Sequence, residues 1–150
     1  MRQLKLLTEK KYAGRKIARA ISIRGANHIV FKARRPVLRR HFSVIRGLLR
    51  ETQDRFGVRI PALAIMPDHI HLLVKVSSRE QFGNALRFFA GMVARRVASG
   101  GIWHARAWSR PVQWGRDLRN AFLYVWRNPY KARIETLADD AYLVDGILQV

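Results

Sequence analysis

The sequence contains no cysteine. A disulfide framework, a thiolate zinc site and a cysteine nucleophile are therefore excluded, and the composition fits a reducing compartment. Acidic residues are scarce, 10 against 29 Lys and Arg. None of them accompanies the histidines in a ligand-like pattern, which disfavours a metal hydrolase that activates water. No segment approaches the roughly 20 consecutive apolar residues of a membrane span. The start, MRQLKLLTEKKYAG, is charged within a few residues and lacks an apolar core of signal-peptide length. The expectation is a cytoplasmic protein without a membrane segment. Internal repeats and low-complexity tracts are missing as well.

What is present is a folded composition, 49% hydrophobic and 26% charged. At 150 residues the chain has the size of one domain able to bury a core without cross-links. It divides into a basic arm over 1–17, a core over 18–133 and an acidic tail over 134–150. The tail carries Glu135, Asp139, Asp140 and Asp145, and either folds back over a basic groove or is simply solvated. The net charge of +19 is strong enough to draw polyanions, with nucleic acid the natural partner. Such a charge supplies sequence-independent phosphate binding, so it fixes the class of ligand and leaves the chemistry open.

Arg19–Arg24 alternates, with Ile21 and Ile23 on one side and Ser22 and Arg24 on the other, as a half-buried strand does. Gly25-Ala26-Asn27 interrupts it, and His28–Lys32 resumes past a bulge. Pro36 suits a helix start, and Leu38, His41, Phe42, Ile45, Leu48, Leu49, Thr52 and Phe56 follow at helical spacing as far as Gly57. Val58–Met66 and His69–Val76 are two strands joined by Pro67-Asp68, an antiparallel pair. Ser78 followed by Gln81 is a capping-box signature, ahead of a stripe of Phe82, Ala85, Leu86, Phe89, Met92, Val93 and Val97 that Gly100-Gly101 stops. Trp103–Gln113 is a loop plus a strand, and Asp117–Asn128 a short helix closed by Pro129. Strands that arrive as turn-linked neighbours argue for an α+β domain, an antiparallel sheet with helices packed mainly on one face.

His69 and His71 stand two apart in a strand, so both rings leave the same face and can converge on one ion. By themselves they are equally two partly exposed sheet histidines. Tyr124 and Asn128 are four apart on a helix and share a face, a phenol and an amide pointing together. By themselves they are equally an amphipathic tyrosine and an asparagine that closes the helix.

The run AIMPDHIHLLVKV resembles the HUH motif of the single-tyrosine transposases. The run YVWRNPYKAR resembles that family's tyrosine helix, most closely its REP-associated branch, where asparagine and then proline follow the nucleophile. Arg24-Gly25 with Asn27, the run RFGVRI and the Trp103–Arg110 segment extend the resemblance over residues 18–133, with order and spacing kept. It implies a ferredoxin-like core, Tyr124 as nucleophile, and His69, His71 and Asn128 as ligands of Mg²⁺ or Mn²⁺. It further implies single-stranded or hairpin DNA as substrate, handled by a monomer or a homodimer. Asp68 stands where asparagine is frequent, and either side chain suits the tight turn. Tyr130 lies beyond the helix end that Pro129 sets, which leaves Tyr124 as the reacting tyrosine.

The chemistry is coherent on its own terms. In-line attack by a phenolate on a phosphodiester places extra charge on the non-bridging oxygens, which a divalent cation stabilises. The product is a 5′-phosphotyrosine, and the reverse attack by another 3′-hydroxyl transfers the strand without ATP. An ordinary phenol titrates near 10, so the tyrosine needs activation by the metal or by arginines such as Arg116 and Arg127. For DNA contact the candidates are Arg24, Arg87, Arg95, Arg96, Arg106, Arg110 and Arg127. Trp103 and Trp108 serve either as base platforms or as core. Competing readings are a non-cutting domesticated module that recognises hairpin DNA or RNA, and a replication initiator or relaxase, which belongs to longer chains.

Overall fold

A computed structural model describes residues 18–98 and 101–131. The basic arm at 1–17 and the acidic tail at 134–150 lie outside the described residues. Four strands form, β1 Ala26–Lys32, β2 Arg59–Ile65, β3 His69–Lys75 and β4 Trp108–Val112. Three α-helices join them, α1 Phe42–Phe56, α2 Arg79–Val97 and α3 Arg116–Lys131. The chain order is β1-α1-β2-β3-α2-β4-α3, and the antiparallel sheet runs β2-β3-β1-β4. This is the expected ferredoxin-like topology with one helix added.

Residue parity assigns the two faces. Ile29 and Phe31 of β1, with Leu63, Ile65, Ile70 and Leu72, pack under Ile45 and Leu49 of α1 and Phe82, Phe89 and Val93 of α2. On the opposite face Ala26, Ala62 and Ala64, with Leu73 and Val112, receive Leu118, Ala121, Phe122 and Val125 of α3. A sheet covered on both faces buries side chains of both parities, and Ala26 through Ile29 are all buried, Asn27 and His28 included.

That double cover explains a correction to the sequence reading. Arg19–Arg24 alternates like a strand yet forms none, and Ile23 is 58% exposed. Instead the Asn27 side chain accepts the Ser22 N–H at 2.8 Å and donates to the Ser22 carbonyl at 2.9 Å, while Ser22 Oγ accepts the Gly25 N–H. These local bonds fold 22–25 into a bend, and β1 begins at Ala26. A Cβ on Gly25 would stand 2.9 Å from the Val112 carbonyl, so glycine is needed where this bend meets β4.

Pro36 does not start α1. Leu38 donates its N–H to the Pro67 carbonyl, and a 3-10 turn at Arg39–His41 intervenes before Phe42. The expected stop at Gly57 is present, in the left-handed conformation with φ 66°. Ser78 Oγ accepts the Gln81 N–H at 3.0 Å as a cap should, but the Gln81 side chain takes the N–H of Ser77 and reaches to Phe56 instead of closing a reciprocal box. Helix α2 ends at Val97, Gly101 has φ 60° and Gly100 lies outside the described residues. The largest departure is at Pro129. Helix α3 continues to Lys131, because the packing of Leu118, Ala121, Phe122 and Val125 on the sheet secures the turns before the proline and only one N–H is lost there.

Candidate active site

The β2–β3 turn presents the histidines. Met66 N–H closes it on the His69 carbonyl at 2.8 Å, and the chain following β1 anchors it from outside, Ala33 N–H on the Asp68 carbonyl and Leu38 N–H on that of Pro67. His69 and His71 then leave β3 on the α3 side of the sheet, their ring centroids 4.8 Å apart. Pairing of Val30 with His71 sets His28 of β1 on the same face. His28 Nε2 lies 3.1 Å from His71 Nδ1, and the two rings stack at 5.3 Å.

Helix α3 crosses beside them, brought close by Ala62 and Ala64 beneath it. The Tyr124 ring stands 5.5 Å from that of His71 and 5.8 Å from that of His28. Between α3 and β4 is a cavity of about 440 Å³, lined by His28, His71, Trp108, Arg110, Asn120 and Tyr124, among others. Tyr124 is 47% exposed and lines this cavity. Arg110 enters from β4 and is held by a two-oxygen bond to Asp117 at 3.0 and 3.2 Å. The guanidinium in turn holds the Asp117 carboxyl below its ordinary pKa.

Burial keeps the inner imidazoles neutral. His71 is lowered to about 3, by burial first and then by the neighbouring His69 and His28. His28 is lowered to about 4, by burial and then by Arg110. Neutral imidazole has a lone pair to offer, and the partners at Nδ1 decide where. Asp68 Oδ1 lies 2.6 Å from His69 Nδ1 and can only accept from it when ionised. His28 occupies Nδ1 of His71. Both ligand candidates are thus left with Nε2. Among the described residues no three His, Cys, Asp or Glu side chains are grouped to hold a metal, so any third protein ligand comes from another residue type. Asn128, one helical turn beyond Tyr124, has a buried Nδ2 without a partner, and a half-turn of the amide would put the carbonyl oxygen in its place. Two imidazoles and an amide oxygen suit a divalent ion that keeps open positions.

Of the sequence candidates, His69, His71, Tyr124, Trp108 and Arg110 come together. Arg127 is exposed on α3, and Arg24 is exposed at the bend before β1. Arg87, Arg95 and Arg96 belong to α2, on the other side of the sheet. Arg106, a candidate for DNA contact, and Trp103, read as base platform or core, also lie there, where the Trp103 ring packs on Phe31 at 5.3 Å. His28 was missed, because only the pairing of β1 with β3 reveals it. Asp68 was read as a turn former, and its bond to His69 was missed.

The model of IS200-like transposases matches residues 25–119. A Haemophilus influenzae (strain Rd) protein, named as a candidate REP-associated tyrosine transposase, is 23% identical over 118 residues, 68% of this chain and 67% of that protein. Two solved structures share the fold. A REP-associated tyrosine transposase bound to a REP hairpin superposes with TM-score 0.70 at 18% identity, covering 79% of this chain and 74% of the other. A candidate transposase from Deinococcus radiodurans R1 gives TM-score 0.51 at 18% identity, over 74% and 92%.

Proposed function

The chain belongs to the IS200-like transposase family, and from that premise we propose that it cuts and rejoins single-stranded, hairpin-bearing DNA through Tyr124. The observation that carries this reading is the meeting of Tyr124 with His71 and His28, at 5.5 and 5.8 Å between rings, in one open cavity. The hairpin bound by a protein of the same fold supports the substrate class. Among the described residues no helix is long and apolar enough to cross a membrane.

The Tyr124 oxygen bonds to phosphorus as the bond from phosphorus to the 3′ oxygen breaks. The phenol gives its proton to solvent and the departing oxygen takes one, leaving a 5′-phosphotyrosine and a 3′-hydroxyl. Attack by another 3′-hydroxyl rejoins DNA and frees the tyrosine, so no triphosphate is consumed. His69, His71 and Asn128 would hold Mg²⁺ or Mn²⁺, which supplies positive charge against the non-bridging oxygens. Asp68 accepts from Nδ1 of His69, and with His71 donating from Nδ1 to Nε2 of His28 both ligand candidates would point Nε2 outward. Arg110, steadied by Asp117, faces the cavity where a phosphate would lie.

Incubation with labelled hairpin DNA and Mn²⁺ or Mg²⁺ tests this on a denaturing gel. The expected result is a covalent protein–DNA adduct, lost with EDTA, with Tyr124→Phe and with His69→Ala. Tight hairpin binding with no adduct across a broad set of hairpins would instead establish the non-cutting module.

A further inference from the structure

A second cavity lies away from the histidines. On the α2 side of the sheet lies a cleft of about 510 Å³ whose wall includes Phe31, Leu86 and Trp103 and whose lining also includes Arg79, Arg87 and Arg106. Trp103 is fixed in place. Its Nε1 donates to the Ala90 carbonyl at 2.9 Å, and its backbone bridges to Ala33. Arg87 donates to Asn84 at 2.6 Å, and Arg79 to the Arg19 carbonyl at 2.7 Å. Among the described residues no carboxylate pairs with Arg79, Arg87 or Arg106. An apolar wall with a rigid indole, in a cleft lined also by Arg19, Arg79, Arg87 and Arg106, is complementary to a base and its phosphates. The volume lies within the range of about 300–1,000 Å³ usual for small-ligand sites.

We propose that this cleft binds one unstacked nucleotide from the single-stranded part of the DNA substrate, its base beside Trp103 and Leu86 and its phosphates on Arg87 and Arg106. The proposal rests on the DNA-acting reading above and adds a second contact across the sheet. Because β4 is the edge strand between the cleft and the Tyr124 cavity, the strand wraps that edge.

Gly83 lines the cleft, and a Cβ there meets only Arg87 Nη2, at 3.9 Å. Gly83→Leu therefore fills the cleft without a core clash, in a helix that leucine favours over glycine. Using the full chain without metal, fluorescence anisotropy compares a labelled blunt hairpin with the same hairpin bearing a single-stranded extension. Gly83→Leu and the pair Arg87→Ala with Arg106→Ala are each expected to weaken the extended hairpin about tenfold or more. The blunt hairpin should change less than about twofold, with the Tm of Gly83→Leu not lowered. Equal loss on both substrates, or no loss on either, overturns the proposal. So does unchanged DNA binding with faster proteolysis of residues 1–17 in Gly83→Leu, which would make the chain's own arm the occupant. No bond is cut in this assay, so its outcome is independent of whether Tyr124 reacts.

Discussion

Two hydrogen bonds decide which nitrogen each histidine offers. If Asp68 orients His69, Asp68→Ala should weaken Mn²⁺ binding by about 10- to 100-fold, while Asp68→Asn, which keeps an acceptor, should lose far less. Isothermal titration of Mn²⁺ measures both, and equal loss in the two variants would remove the orienting role. The buried pair His28 and His71 makes a second prediction, in pH. Both titrate lower in the folded chain than the ordinary 6.5, at about 4 and about 3. The unfolded chain therefore takes up protons that the folded chain refuses. Their contribution to stability is complete above pH 6.5 and is lost as pH falls toward 4. Each group should cost up to about 1.4 kcal/mol per pH unit in that window. Denaturant titrations at pH 7 and 5 should show a clear fall in stability, smaller in His28→Gln; a flat profile contradicts the neutral burial of both rings.

At the scale of elements, the position of Tyr124 depends on how closely α3 lies on the sheet. Ala64 is fully buried beneath it. Ala64→Leu should cost about 1–3 kcal/mol by overpacking and, by lifting α3, should lower adduct formation more than the loss of folded protein explains. The hairpin of β2 and β3, the bodies of α1 and α2 and the caps at Gly57 and Ser78 were legible because local signals and tertiary packing agree there. Three features were not. A bend knotted by Asn27 imitates alternation, Pro129 is tolerated by a helix already held down by its apolar face, and the layer on which each arginine falls depends on topology. The same limit hid His28, which lies 43 residues from His71 in the chain and meets it only through strand pairing.

For the whole molecule, charge and family agree. If the chain, at +19, binds hairpin DNA through several phosphates as proposed, its affinity should show a steep salt dependence. With about six phosphate contacts the affinity should fall on the order of 10³-fold between 50 and 200 mM salt, and anisotropy titrations would expose a shallow slope. The central claim is the identity of the nucleophile. Trypsin separates the two candidates on α3, because cleavage after Arg119, Arg127 and Lys131 puts Tyr124 in residues 120–127 and Tyr130 in residues 128–131. Mass spectrometry of the trypsin- and nuclease-treated adduct should find the nucleotide remnant on the peptide 120–127. A remnant on 128–131, or on any histidine or serine, would contradict the account.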